Sequence, residues 1–230
     1  RPLNREPIPH EPHQFGSRRV RKEFAVPYSK LHLAWRLPCS AHPDTPALSA
    51  LSSILGGGRS ARFYEKFHDR LGLVYSIEVH SNQSETDEGA FTISMDVDRA
   101  QRDKVRDLVL QELRNLAEED FTEDLKRVCK QTRVSRLRRR SSASGVASEM
   151  GADWFGSRNL NLSSEWQEAI ERVTTEDLHR VCSTWLSSPN VTEVSLDPPG
   201  SNAGDEERAS ASAGTALSEH VLGNGLKVVI

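Results

Sequence analysis

Hydrophobic and polar residues alternate cleanly from Lys30 to Leu37. Leu31, Leu33, Trp35 and Leu37 fall on one side and His32, Ala34 and Arg36 on the other, the period-two pattern of a half-buried strand. A looser alternation from Arg18 to Val26, through Val20, Lys22 and Phe24, predicts a strand before it. The period then changes. Asp44-Thr45-Pro46 opens a helix, with Thr45 as N-cap and Pro46 at the first helical position. Leu48, Leu51, Ile54 and Leu55 form its buried stripe, and Gly56-Gly57-Gly58 ends it. A second helix is predicted from Ser60 to Leu71, then an antiparallel pair, Val74–His80 and Gly89–Asp96, around the polar loop SNQSETDE. Gln101–Ala117 is amphipathic through Val105, Leu108, Val109, Leu113 and Leu116. Thr122-Glu123-Asp124-Leu125 opens a helix running past Arg140, and a break at Ser141–Gly145 precedes another reaching Phe155. Ser163–Arg172 and Thr175–Leu186 read as short helices opening on Ser/Thr caps, and Val191–Leu196 as a last strand. This order predicts an α+β fold, an antiparallel sheet with helices packed mainly on one face.

Composition divides the chain further. Residues 1–17, rich in Pro, His and charge, read as an extended lead-in to a domain spanning 18–196. After Leu196, DPPGSNAGDEERASASAGT has almost no large apolar residue and reads as a flexible interdomain linker, 197–218. In 219–230, HVLGNGLKVVI is a strand, an Asn-Gly turn and a second strand, read as the first hairpin of a following domain. With no initiator Met and an end in mid-strand, the sequence is expected to be a piece of a longer protein, and its compartment is left open.

Charge and chemistry narrow the function classes. A net charge of −3 argues against a chain dedicated to nucleic acid. No apolar run approaches the ~20 residues that cross a bilayer. Cys39, Cys129 and Cys182 lack metal-type spacing and read as small buried hydrophobes. His32, His42, His68, His80, His179 and His220 show no ligand-like spacing either. The basic run Lys126, Arg127, Lys130, Arg133, Arg136, Arg138, Arg139 and Arg140 lies along one helix and its C-terminus, where the helix dipole favours cations. Its alternative use is a surface for an acidic partner or nucleic acid, without interleaved aromatics to strengthen it.

The segment LGGGRSARFYEKF…LGLVYSIEV resembles the glycine triplet, following helix and Gly-Leu-x-Tyr-Ser strand of the C-terminal domain type in pitrilysin/insulinase-type zinc metallopeptidases, the family that includes the mitochondrial processing peptidases. LHLAWRLP, FTEDLKRVCKQ and VTTEDLHRVCSTWL have equivalents in order, so the resemblance extends from Val20 to Leu196, and HVLGNGLKVVI resembles the opening of the family's N-terminal domain type. It implies a clamshell of repeated domains enclosing unfolded peptide, with zinc in one half. In that family a helical His-x-x-Glu-His binds the metal and activates water. This sequence lacks the motif. Its nearest imitation, His10-Glu11-Pro12-His13, has an internal proline that opposes a helix. No catalytic residue, metal ligand or cofactor is therefore assigned here, and zinc is expected in the parent protein.

The resemblance also supplies substrate-contact candidates. Tyr75 matches the tyrosine of the family's substrate-anchoring domain, whereas His68, seven residues earlier, stands where that domain carries Arg. Histidine cannot reproduce a permanently charged five-donor fork. Gly56, Gly57 and Gly58 read as a helix end with a positive-φ turn or as a cavity-facing loop, and Arg62 as the partner of a nearby carboxylate or as a peptide contact. The implied role is a non-catalytic domain of a zinc metalloendopeptidase, partnered by neighbouring family domains and by peptide through the full clamshell. The alternative is a domain of a catalytically inactive member acting as scaffold or partner-binding protein.

Overall fold

In the computed structural model, which describes residues 12, 14–83, 88–187, 189–199, 219–221 and 227–229, a five-stranded sheet carries its helices on one face. In chain order the elements are β1 (Arg18–Glu23), β2 (Ser29–Leu37), α1 (Thr45–Gly56), a π-helical segment (Tyr64–Arg70), β3 (Val74–Asn82), β4 (Gly89–Val97) and α2 (Arg102–Asn115). They continue with α3 (Thr122–Arg139), α4 (Ala143–Ser157), α5 (Leu162–Glu171), α6 (Thr175–Val181), a second π-helical turn (Cys182–Leu186) and β5 (Thr192–Asp197). The strand order is β1-β5-β2-β4-β3. All pairings are antiparallel except the edge pair β1–β5, which is parallel and brings the first and last strands of the domain together. A separate pair, β6 (Glu219–Val221) with β7 (Lys227–Val229), forms the expected hairpin; its Asn-Gly turn and residues 200–218 lie outside the described residues.

The core follows the alternation. Leu31, Leu33, Trp35 and Leu37 are buried beside Phe91, Ile93, Met95 and Val97 of β4, and Leu48, Leu51, Ile54 and Leu55 of α1 cover them with no exposed surface. Each such side chain contributes about 1.5–3 kcal/mol by leaving water. Val105, Val109 and Leu113 of α2 and Leu178, Val181 and Leu186 complete one cluster. That cluster runs from Leu31 of β2 to Leu186 of the second π-helical turn. Cys182 belongs to it, and burial pushes its thiol up to about 12, which makes it an inert small hydrophobe.

Local chemistry departs from expectation in three places. Asp44, rather than Thr45, occupies the N-cap of α1, and the Thr45 hydroxyl donates to the Cys39 carbonyl at 3.3 Å. Asp44 instead accepts from Trp185 Nε1 at 2.9 Å and from Arg180, pinning the start of α1 to α6. α5 begins at Leu162 behind Asn161, and Ser163 gives both its amide and its hydroxyl to buried Asp153 of α4, at 3.1 and 2.6 Å. α3 opens at Thr122 as read, and α6 opens on a Thr cap as read, through a reciprocal capping box between Thr174 and Asp177.

The largest departure is the inner face of the sheet edge. Register places Arg19 and Arg21 of β1 opposite Glu193 and Ser195 of β5, and these opposite Leu33 and Leu31 of β2. Arginines therefore turn toward the helices, while Val20 and Phe24 face solvent. Arg102, buried at the start of α2, pairs with buried Asp197, which also accepts from the Ser29 hydroxyl at 2.6 Å. Arg21 reaches Asp103 at 2.7 Å, and Arg19 reaches Glu193 at 2.9 Å.

Candidate functional site

The glycine triplet acts locally. Gly56 ends α1 where the helix crosses β3, and a Cβ there would lie 2.5 Å from the Val79 amide nitrogen. Gly57 donates its amide to the Ser53 carbonyl at 2.9 Å, and Gly58 adopts φ 105°, a conformation open to glycine at no steric cost. These residues turn the chain out of α1 and into the segment bearing Arg62, Tyr64 and His68.

Arg62 is fully engaged in structure. Nε donates to Asp124 Oδ2 at 2.7 Å, Nη1 to Glu119 at 3.1 Å and Nη2 to the Asp120 carbonyl at 2.5 Å, with the guanidinium stacked 4.6 Å above the Phe121 ring. It clamps the start of α3 through a charged fork and a cation–π contact together.

His68 and Tyr75 flank the turn at Gly72, whose φ of 60° redirects the chain into β3. Buried Phe63 and Phe67, packed edge to face, anchor the π-helical segment to the core. That leaves its outer side to Tyr64 and His68, whose rings stack at 4.4 Å, while His68 Nδ1 lies 2.7 Å from Asp69. Tyr75 sits at the irregularity between Val74 and Ser76, half-exposed, with its ring 4.0 Å from that of Tyr28. Among the described residues no hydrogen bond, ion pair or ring contact joins His68 to Tyr75. The Tyr28–Tyr75 pair had no signal in the sequence, because Tyr28 lies in the turn between β1 and β2, 47 positions away.

Chemically, this surface offers an aromatic platform, an imidazole and a strand at the sheet edge. Among the described residues no three His, Cys, Asp or Glu side chains converge on a point able to hold a metal ion. His10 and His13 lie outside those residues. The basic run on α3 is largely neutralised: Arg133 pairs with Glu171 at 2.9 Å, Arg136 and Arg140 share Glu149, and Arg127 pairs with Asp124. No helix among the described residues is long and apolar enough to cross a membrane.

The chain is 23% identical over 198 residues to the zinc protease PqqE of Helicobacter pylori, covering 84% of this chain and 44% of that protein. Its fold superposes on a protease from Helicobacter pylori with a TM-score of 0.76 at 24% identity, covering 84% of this chain and 47% of that one. On a peptidase M16 inactive domain from Pseudomonas fluorescens the TM-score is 0.73 at 19% identity, with 84% and 46% covered. The chain thus spans about half the length of these relatives. A family model described as the peptidase M16 inactive domain matches residues 2–131, and the chain belongs to that family.

Proposed function

We propose that the chain serves as the non-catalytic domain of a multi-domain zinc metalloendopeptidase and forms part of the wall of its peptide-binding cavity. The match to an inactive peptidase domain over residues 2–131, among relatives about twice as long, carries this reading. The residues described here do not fit a zinc site, so metal-assisted hydrolysis is assigned to another part of the parent protein.

Within that role the peptide-facing candidates separate by how free their side chains are. Tyr75, with Tyr28 beneath it, presents a flat apolar face with a hydroxyl at its rim, suited to hold an extended peptide by stacking and one hydrogen bond. His68 adds a polar group on the preceding segment. Arg62 and the three glycines serve this surface indirectly, by fixing the segment that bears it.

The test is made on the full-length parent. Peptide hydrolysis abolished by a zinc chelator and restored by zinc is expected. Replacing Tyr75 by Ala should then raise KM roughly three- to tenfold with kcat little changed, the signature of lost uniform binding. A parent without zinc-dependent hydrolysis would overturn the reading in favour of a scaffold.

A further inference from the structure

Helix α4 is inside out. Its most buried charged side chains, Glu149 and Asp153, form one i,i+4 stripe turned toward the domain. Glu149 takes Arg136 and Arg140, and Asp153 takes the Ser163 amide and hydroxyl. Its large apolar residues lie outside: Met150 and Trp154 are nearly half-exposed, and Phe155 is 82% exposed. Val134 and Leu137 of α3 and Leu160 and Leu162 beyond α4 are exposed as well. Among the described residues, seven of the thirteen exposed large hydrophobic ones therefore fall between positions 134 and 162. Among the described residues, the buried hydrophobic core takes none between Val128 and Ile170. This arm turns its apolar residues to solvent, and the buried cluster forms without them.

Charge sets the chemistry of what covers it. From Lys130 to Leu160 there are seven cations and only two acids, Glu149 and Asp153, both already engaged inward. Lys130, Arg138 and Arg139 have no ion pair among the described residues, and Arg158 lies 5.4 Å above the Trp154 ring. Two such arms facing each other would bring like charges together, which disfavours a second copy. The relatives supply the other half of the argument: this chain accounts for 47% of one and 44% of another, leaving room for a companion domain of similar size.

We infer that the α3–α4 arm is a docking surface for a companion domain of the same polypeptide, one that presents an apolar patch edged by carboxylates. Trp154, Phe155, Met150 and Leu137 form the contact, and Arg138, Arg139 and Arg158 its cationic rim. The inference rests on the proposed function only in taking the chain as one domain of a longer protein.

Hydrogen exchange measured by mass spectrometry on the full-length parent and on the 230-residue chain tests it without any substitution. Amides of 143–162 should exchange at least roughly tenfold more slowly in the parent, while those of β2 and β4 match in the two proteins. Equal exchange across the arm would overturn the docking. The parent is expected to melt in one transition; the double substitution Trp154→Ser with Phe155→Ser should leave the Tm of the 230-residue chain unchanged and split that transition into two. A parent that still melts in one step would count against the contact. Because exposed aromatics beside arginines also suit an anionic lipid surface, the chain is sedimented with phosphatidylglycerol vesicles. Binding there, with an arm unprotected in the parent, would replace the companion domain by a membrane. Zinc-dependent hydrolysis assayed on the same parent separates the two readings. Hydrolysis with an unprotected arm removes only the docking, and protection without hydrolysis removes only the peptidase role.

Discussion

The centre and the edge of the sheet solve the same problem with opposite chemistry. Under the helices, β2 and β4 present Leu31, Leu33, Trp35, Phe91 and Ile93, and α1 and α2 close over them by shape and exclusion of water. One strand further out, β1 and β5 present Arg19, Arg21, Glu193, Ser195 and Asp197 to the same side, and α2 meets them with Arg102, Asp103 and Arg106. Apolar packing is non-directional and tolerates small adjustments. A buried ionic network is directional, and every member depends on its partner. β1 comes from the start of the domain and pairs in parallel with its last strand, so the network fixes the register of a strand that offers little apolar surface of its own.

The largest test of this contrast is Arg102→Met. It leaves buried Asp197 with only the Ser29 hydroxyl for company, and a cost of about 3–5 kcal/mol in urea unfolding is expected. The paired substitution Arg102→Met with Asp197→Leu should recover most of that loss, because two apolar side chains need no partners. If the single change costs under about 1 kcal/mol, the edge is held as the centre is, by packing, and the contrast disappears.

Where α1 packs on the apolar part of the sheet, at β3, the sensitive quantity is volume. Gly56→Ala places a methyl 2.5 Å from the Val79 backbone nitrogen, where neither α1 nor β3 has a flexible side chain to yield. A loss of roughly 1–3 kcal/mol in the same unfolding assay follows from overpacking. The neighbouring Gly58, at φ 105° with open space around its Cβ position, would report backbone strain alone. A Gly56→Ala protein as stable as its parent would show that the helix–strand crossing gives way.

This pair of regions also explains what the sequence disclosed. The centre was legible because its alternation is apolar against polar: Leu31, Leu33, Trp35 and Leu37 could face only one way. The edge was not, since Val20 and Phe24 look like inward residues until Glu193 and Asp197, some 174 positions later, are known to lie beside Arg19 and Glu23. The same limit applied to the candidate site. Gly58 and Arg62 carried local signatures of a turn and a charge pair that the structure fulfils. The Tyr28–Tyr75 ring contact joins distant segments, and the inverted α4 depends on Arg136, Arg140 and Ser163, which lie outside that helix and draw its two acids inward.

The smallest expected effect isolates the charge in the network. Burial raises the Asp103 carboxyl, but hydrogen bonding from Arg102 and the charges of Arg102, Arg21 and Arg106 outweigh it and hold its pKa below the ordinary 3.8. A carboxylate depressed in the folded state stabilises the fold above its unfolded pKa, and that contribution is lost as pH falls through the lower folded value. Asp103 is half-exposed, so its contribution near neutrality should stay within about 1 kcal/mol. Asp103→Asn should therefore lower Tm slightly at neutral pH and converge on the unsubstituted protein once pH has fallen through the lowered folded value, where both carry an uncharged group. Other carboxylates, Asp44 among them, also titrate in acid, so the difference between the two Tm–pH curves, rather than either curve, reports Asp103. Curves that run parallel from neutrality into acid would mean that Asp103 acts through hydrogen-bond geometry, and the edge of the sheet would then owe less to charge than its arginines imply.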